Sequence, residues 1–191
     1  MEAIKKVEVN KIAKIILISL LGTLLLTVSA KIKIPFYPVP MTMQTFVVLF
    51  LGITLGSKIA LLTISLYLFE GIMGLPVFAG TPEKGIGFIY FTGPTMGYLV
   101  GFLVASYVAG SFKYENCFKE FKLQSVFKNI IKLLFAVSFI YIFGLLWLGF
   151  LIGWEKPIVK LGAQPFLLAE LFKMLILAII AGSLNKIKKI I

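Results

Sequence analysis

QPFLLAELFKMLILAIIAGSL, residues 164–184, is apolar almost throughout, yet it carries Glu170 and Lys173. A run of this length fits a helix across a bilayer, whose hydrocarbon core needs roughly 20 helical residues. No water reaches that core, so backbone groups must satisfy one another and an ionised side chain is expensive. Reading the run as a membrane span turns the two charges into a question about function. Positions three apart on a helix face neighbouring directions, so the carboxylate and the ammonium reach the same space. With the span starting near Pro165, Glu170 lies roughly 7 Å and Lys173 roughly 12 Å inside it, at about 1.5 Å per residue. One reading is a self-neutralising pair that only ties helices together. The other is a ligand site. A carboxylate accepts N–H donors and an ammonium donates to a carbonyl, so a small uncharged ligand with both edges satisfies the two at once.

The rest of the chain shares this character. Of 191 residues 60% are hydrophobic and the mean hydropathy is +1.03, whereas soluble domains are about 45–50% apolar. A single integral membrane domain, residues 1–191, is expected, all-α and without a second unit. Apolar runs fall at 12–30, 42–56, 58–73, 91–111, 131–153 and 165–184. The second and third are short and are divided only by Gly56-Ser57-Lys58, which reads as a tight helical hairpin. Six spans make a compact bundle with both termini on one side. The first run is too long for the core of a signal peptide and is read as a retained span.

Composition also narrows the chemistry. All 19 cations are lysine, all 8 acids are glutamate, and there is no histidine. Triads and zinc sites therefore lack their usual residues, and no catalytic residue, metal ligand or cofactor is expected. Cys117 is the only cysteine, so no internal disulfide can form. There is no GxxxxGK[ST] phosphate cradle. The net charge of +11 does not point to nucleic acid, because the lysines cluster between spans as membrane topology places them.

Lysine placement supplies the orientation. With a cytoplasmic N-terminus, the inner segments hold Lys5, Lys6, Lys11, Lys14, Lys58, Lys113, Lys119, Lys122, Lys128, Lys132, Lys186, Lys188 and Lys189. The outer segments hold Lys31, Lys33, Lys84, Lys156 and Lys160. The positive-inside rule then puts both termini in the cytoplasm. All eight prolines, at 35, 38, 40, 76, 82, 94, 157 and 165, fall on the outer side. Eight of the 17 glycines lie between 71 and 101. Irregular backbone at membrane depth is tolerated where it is buried in protein or lines a cavity, so the expected cavity opens outward. The basic stretch 112–132 is amphipathic and is placed at the anionic inner leaflet, with docking to a cytoplasmic partner as the alternative.

Further stretches sharpen the outer side. IPFYPVPMTMQT, 34–45, is stiffened by Pro35, Pro38 and Pro40. Phe36 and Tyr37 are flat surfaces suited to covering a ligand, and Thr42 and Gln44 open the next helix with polar groups. In GLPVFAGTPEKGIGFIYFTGPTMGYLVGF, 74–102, Gly93-Pro94-Thr95 starts a helix whose free N–H groups suit a carboxylate. Gly97 and Gly101, four apart, read as a close helix–helix surface. Glu70 reads as an interfacial charge in water and Trp154 as an interface anchor, while Trp147 lies deeper.

IPFYPVPMTMQT, GLPVFAG, GPTMGYLVGF, FGLLWLG (143–149) and PFLLAELFK (165–173) together resemble the BioY family in order and register over about residues 12–184. The resemblance implies the substrate-capture component of a biotin transporter of the energy-coupling factor type. Its implied partners are biotin, a transmembrane coupling subunit and an ATPase pair, in a prokaryotic cell membrane. The family carries Asp-x-x-Lys against the ureido ring of biotin; here Glu170 stands in place of Asp. The implied binding residues are Glu170, Lys173, Gln44, Thr42, Phe78, Gly80, Tyr90, Thr95 and Tyr98. Pro35, Phe36, Tyr37, Pro38 and Pro40 form the implied gating loop. For the ligand carboxylate the helix start at Gly93–Thr95, Tyr90 and Lys84 all stand as candidates. Ser19, Gly22, Thr23 and Thr27 are the nearest equivalent of the small-residue face by which first helices meet the coupling subunit. An alternative substrate is thiamine or riboflavin, and an alternative role is a structural membrane subunit.

The orientation is directly testable. In a Cys117→Ser background, Lys84→Cys and Lys160→Cys should react with an impermeant maleimide in intact cells. Lys58→Cys and Lys186→Cys should react only after permeabilisation, and the reverse pattern inverts the topology.

Overall fold

The apolar runs fold as helices because a bilayer-bound backbone must close its hydrogen bonds within each segment. The computed structural model describes residues 2–35, 37–117 and 122–189, with side chains from residue 9 to residue 188. The helices are α1 (Glu2–Lys31), α2 (Gln44–Ile72), α3 (Met96–Ser111), α4 (Leu123–Ile152), the short α5 (Ile158–Gly162) and α6 (Leu167–Leu184). Four segments are long and apolar enough to cross a membrane: Val9–Lys31, Gln44–Ile72, Leu123–Ile152 and Ile158–Leu184; α3 is apolar but shorter.

α2 is not one rod. Gly56 adopts φ 78° and ψ 169° within it, a left-handed region open to glycine and costly for other residues. There the chain doubles back. Gln44 Nε2 donates to the Tyr67 hydroxyl at 2.8 Å, although a straight helix would hold these residues about 34 Å apart. Leu51 and Thr63, from opposite arms, both meet Gly22 of α1. The expected hairpin is thus present, with its pivot at Gly56 itself.

α1 packs along this hairpin through a polar seam. The Thr63 hydroxyl reaches Ser19 (3.3 Å) and the Thr23 hydroxyl donates to the Glu70 carboxylate (2.9 Å). Two expectations change here. Glu70 is half-buried and tied to α1, not a free interfacial charge. Ser19, Gly22 and Thr23 are buried against α2, because their small or hydroxylated side chains let the two helices approach and pair. The outward face of α1 is aliphatic instead, with Ile12, Ile16, Leu17, Leu20, Leu21 and Leu24 exposed.

α3 and α4 meet where Gly97 lies on Phe143 and Trp147, and Gly101 on the backbone of Phe139 and Ile140. This is the close approach that the glycine spacing implied. The expected span 91–111 starts late, however. Gly87–Thr92 is a 3₁₀ turn and Gly93 is extended (ψ 174°), since the residue before a proline is pushed out of the helical region. In the other direction, α4 takes up 123–132, so half of the expected inner loop is helix. Phe118 to Phe121 lie outside the described residues.

The two ends of the bundle are tied differently. On the proline-rich side, β1 (Lys33–Ile34) pairs antiparallel with β2 (Met41–Thr42), a small exception to an all-α fold. The Lys31 ammonium gathers the carbonyls of Pro76, Phe78 and Thr81 and the Thr81 hydroxyl, at 2.8–3.2 Å. At the opposite end, buried Asn129 accepts from the Glu115 N–H and donates to the Glu115 and Ala178 carbonyls. Lys188 donates to the Gly110 carbonyl at 2.6 Å while its alkyl chain lies over Gly56. Trp154 is 63% exposed, in keeping with an interface anchor.

The α3–α4 seam makes a prediction. Gly101→Val inserts a branched side chain against the α4 backbone and should cost about 1–3 kcal/mol. A lowered thermal unfolding midpoint in detergent checks this; an unchanged midpoint rules out the close contact.

Candidate functional site

A cavity of about 50 Å³ lies between the β1–β2 loop, the 79–95 segment and helices α2, α3, α4 and α6. Its lining draws Val39, Pro40, Met41 and Thr42 from the loop, Gln44 and Thr45 from the start of α2, and Ala79, Tyr90 and Thr95 from the glycine-rich stretch. Tyr98, Leu99 and Phe102 come from α3, Ile140 and Tyr141 from α4, and Phe166 and Glu170 from the start of α6. The wall is mostly apolar with a few converging polar groups, the usual composition of a small-molecule site.

Glu170 occupies the first turn of α6, where the positive end of the helix dipole faces an anion. Glu170 is 6% and Lys173 5% exposed. Lys173 Nζ donates to Glu170 Oε1 at 2.8 Å, to Thr45 Oγ1 at 2.9 Å and to the Thr42 carbonyl at 2.7 Å. The Thr45 hydroxyl in turn donates to Glu170 Oε1 at 2.8 Å. An ammonium has three N–H bonds, and all three are used. Glu170 Oε2 is buried and has no hydrogen-bond partner among the described residues. Tyr141 stands beside Glu170, but its hydroxyl makes no hydrogen bond of ordinary geometry with that oxygen. A buried carboxylate oxygen left unpaired costs on the order of 1–3 kcal/mol or more.

The aromatic wall is held from behind. Phe78 stacks on Tyr90 with ring centroids 4.7 Å apart and meets Tyr67 and Phe91 edge-on. Its ring rests on Gly71. The Tyr67 hydroxyl accepts from Gln44 and donates to the Val77 carbonyl at 2.9 Å. Tyr90 donates to Ala79 and Tyr98 to Gly162, both at 2.8 Å. These phenols fix the backbone that shapes the cavity and have spent their protons doing so.

Of the residues singled out in the sequence, Glu170, Gln44, Thr42, Tyr90, Thr95 and Tyr98 share the cavity wall. Phe78 and Gly80 are buried behind it, outside the lining. Lys173 is also behind the wall, and its other side borders an apolar groove with Ile34, Met41, Phe172 and Ile176. Lys84 is exposed and folds over Gly80, away from the cavity. Gly93 accepts from Trp147 Nε1 at 2.9 Å, and neither residue lines the cavity. In the proline loop, Pro40 faces the cavity, Pro38 is buried, Pro35 is exposed and Tyr37 is 91% exposed; Phe36 lies outside the described residues. Thr45 and Tyr141 were not foreseen. Thr45 sits one residue past the polar pair Thr42 and Gln44, so the polar helix start was a usable signal. Tyr141, inside an apolar run, carried none.

The sequence model of the BioY family matches residues 3–189. A probable biotin transporter BioY of Pyrococcus horikoshii is 32% identical over 161 residues, which cover 84% of this chain and 90% of its own. The biotin transporter BioY of Thermotoga maritima is 34% identical over 166 residues, covering 87% and 92%. A crystal structure of the S-component for biotin from an ECF-type ABC transporter superposes with a TM-score of 0.66 at 26% identity, covering 94% of this chain and 93% of that one.

The support behind the wall can be probed by itself. Tyr67→Phe leaves the Val77 carbonyl and one Gln44 N–H unpaired and should cost about 1–3 kcal/mol. A lowered unfolding midpoint, with faster hydrogen exchange across 75–81, is the expected result.

Proposed function

This chain belongs to the BioY family, and from that premise we propose that it captures biotin and passes it inward as the S component of an energy-coupling factor transporter. Members of this family are transporter components and not enzymes. The observation that carries the assignment to this site is Glu170 Oε2, a buried carboxylate oxygen without a hydrogen-bond partner among the described residues, in the wall of the cavity. Biotin's ureido ring presents N–H groups to such an oxygen. Its thiophane ring and valeryl chain suit the apolar wall of Leu99, Phe102 and Ile140. Its carboxylate faces the loop side, where Thr95 stands nearest to a helix start.

The cavity is well below the roughly 300 Å³ of an ordinary ligand site, with room for roughly three to five waters. Biotin therefore requires the wall to open. The 35–40 loop is the element for this, since it contributes Val39 and Pro40 to the wall and is otherwise held by the short β1–β2 pair. Opening on the proline-rich side makes the cavity outward-facing.

Within this reading, residues 1–191 form one integral domain in the cell membrane. The bundle crosses the membrane six times, with the arms of the α2 hairpin counted as separate crossings and both termini cytoplasmic. The lysine distribution supports that orientation. The partners are a membrane-embedded coupling subunit and its ATPase pair, docked at the cytoplasmic faces of the first three helices. The aliphatic outward face of α1 supports a peripheral, contactable position for that helix.

Two measurements test the proposal. Protein purified from biotin-replete cells should release biotin on denaturation, identified by mass, and excess thiamine or riboflavin should not displace labelled biotin. Glu170→Gln should weaken binding at least about tenfold, the scale of one hydrogen bond to a charged group. Unchanged binding in that variant removes Glu170 from the site.

A further inference from the structure

We infer that Lys31 is a positioning residue that clasps the end of α1 to the 76–81 turn, so that a displacement of α1 reaches both rims of the cavity at once. The inference rests on the biotin reading above, which requires the rims to part before the ligand fits.

A lysine in the last turn of a helix ordinarily serves the free carbonyls of its own helix end. Lys31 occupies the last turn of α1, yet its ammonium reaches across 45 to 50 positions of sequence. It donates to the carbonyls of Pro76, Phe78 and Thr81 and to the Thr81 hydroxyl, at 2.8–3.2 Å. Three N–H bonds are thus shared among four acceptors of one turn. Carbonyl oxygens that face a common point repel one another, and the cation between them offsets this. The Thr81 hydroxyl donates in turn to the Phe78 carbonyl at 2.7 Å, so turn and ammonium form one closed cluster.

This turn is one rim of the cavity. It carries Ala79, which is in the lining and whose carbonyl accepts from the Tyr90 hydroxyl. The other rim is the 35–40 loop, which brings Val39 and Pro40 into the wall. That rim is attached to α1 as well: β1 begins two residues after Lys31, and the Ile32 carbonyl accepts from the Met43 N–H at 3.3 Å. α1 therefore holds one rim by chain continuity and the other through Lys31. Lys31, Pro76, Phe78 and Thr81 all lie outside the cavity lining, so the clasp can persist while the cavity opens. The aliphatic outward face of α1 is where a push from a membrane partner would be received.

The test uses the full chain in detergent, with two readouts: hydrogen exchange across 76–81 in ligand-free protein, and biotin dissociation. Lys31→Met should quicken both about tenfold, the effect of releasing one bond to a charged group, and Lys31→Arg should stay near wild type. A double-mutant cycle separates this route from the one through α2, where Tyr67 donates to the Val77 carbonyl. Gly22 packs on Thr63 and Leu51, so Gly22→Val pushes α1 off the hairpin; Gly22→Ala is the milder variant should valine prevent folding. The Gly22 change should quicken exchange across 76–81 while Lys31 is present and add nothing in the Lys31→Met background. Additive effects of the two changes mean that α1 reaches the turn by another path and overturn the inference, as does wild-type exchange in Lys31→Met. Faster exchange in Lys31→Met with unchanged biotin dissociation makes Lys31 a structural tie only, which also overturns it. A wild-type chain that ignores biotin removes the biotin reading instead, and the exchange cycle still decides the clasp.

Discussion

Everything around the cavity depends on a rule of the bilayer interior: a polar group that leaves water must find a partner in the protein. The ammonium of Lys173 obeys it completely, with three bonds to three acceptors. Glu170 obeys it at one oxygen and not at the other. The pair is therefore asymmetric, with Oε1 bonded to Lys173 and Thr45 and Oε2 buried without a partner among the described residues. Breaking a buried pair on one side costs more than the pair contributes, so Lys173, Thr45 and Glu170 behave as one unit.

The same rule organises the supports. Tyr67, Tyr90 and Tyr98 each bury a ring and spend the hydroxyl on a backbone carbonyl. The carbonyls of these irregular segments thereby find donors inside the protein. Lys31 does the same for the 76–81 turn from the end of α1. The proline-rich end of the bundle is irregular backbone held by side-chain donors, and the opposite end combines close backbone contacts at Gly110 and Gly182 with donors from Asn129 and Lys188.

Much of this was legible in the sequence, for identifiable reasons. Apolar run length located most of the helices, although α3 starts later than its run and the second and third runs form one hinged element. Glu170 and Lys173 were conspicuous because charge in such a run is costly. Gly97 and Gly101 gave away a helix contact through their spacing. What stayed hidden depends on three-dimensional neighbours. Ser19 and Thr23 mark a small-residue face, but periodicity does not say whether a neighbour in the same chain or a separate subunit fills it. Phe78 and Gly80 stand in a stretch expected to bind ligand, yet they lie behind the wall and outside its lining. The commitment of all three Lys173 donors could not be read from spacing, since Thr42 and Thr45 lie more than a hundred residues away in the chain.

The pivot at Gly56 has a bearing on how the protein is made. The arms 44–55 and 57–72 are each shorter than the roughly 17 residues that mark the low end for a helix crossing a bilayer unaided. Neither arm alone offers the insertion machinery an adequate segment; joined by a turn, they partition into lipid as a pair. A single glycine with a positive φ thus lets two arms, each too short to cross alone, share one apolar unit of insertion length.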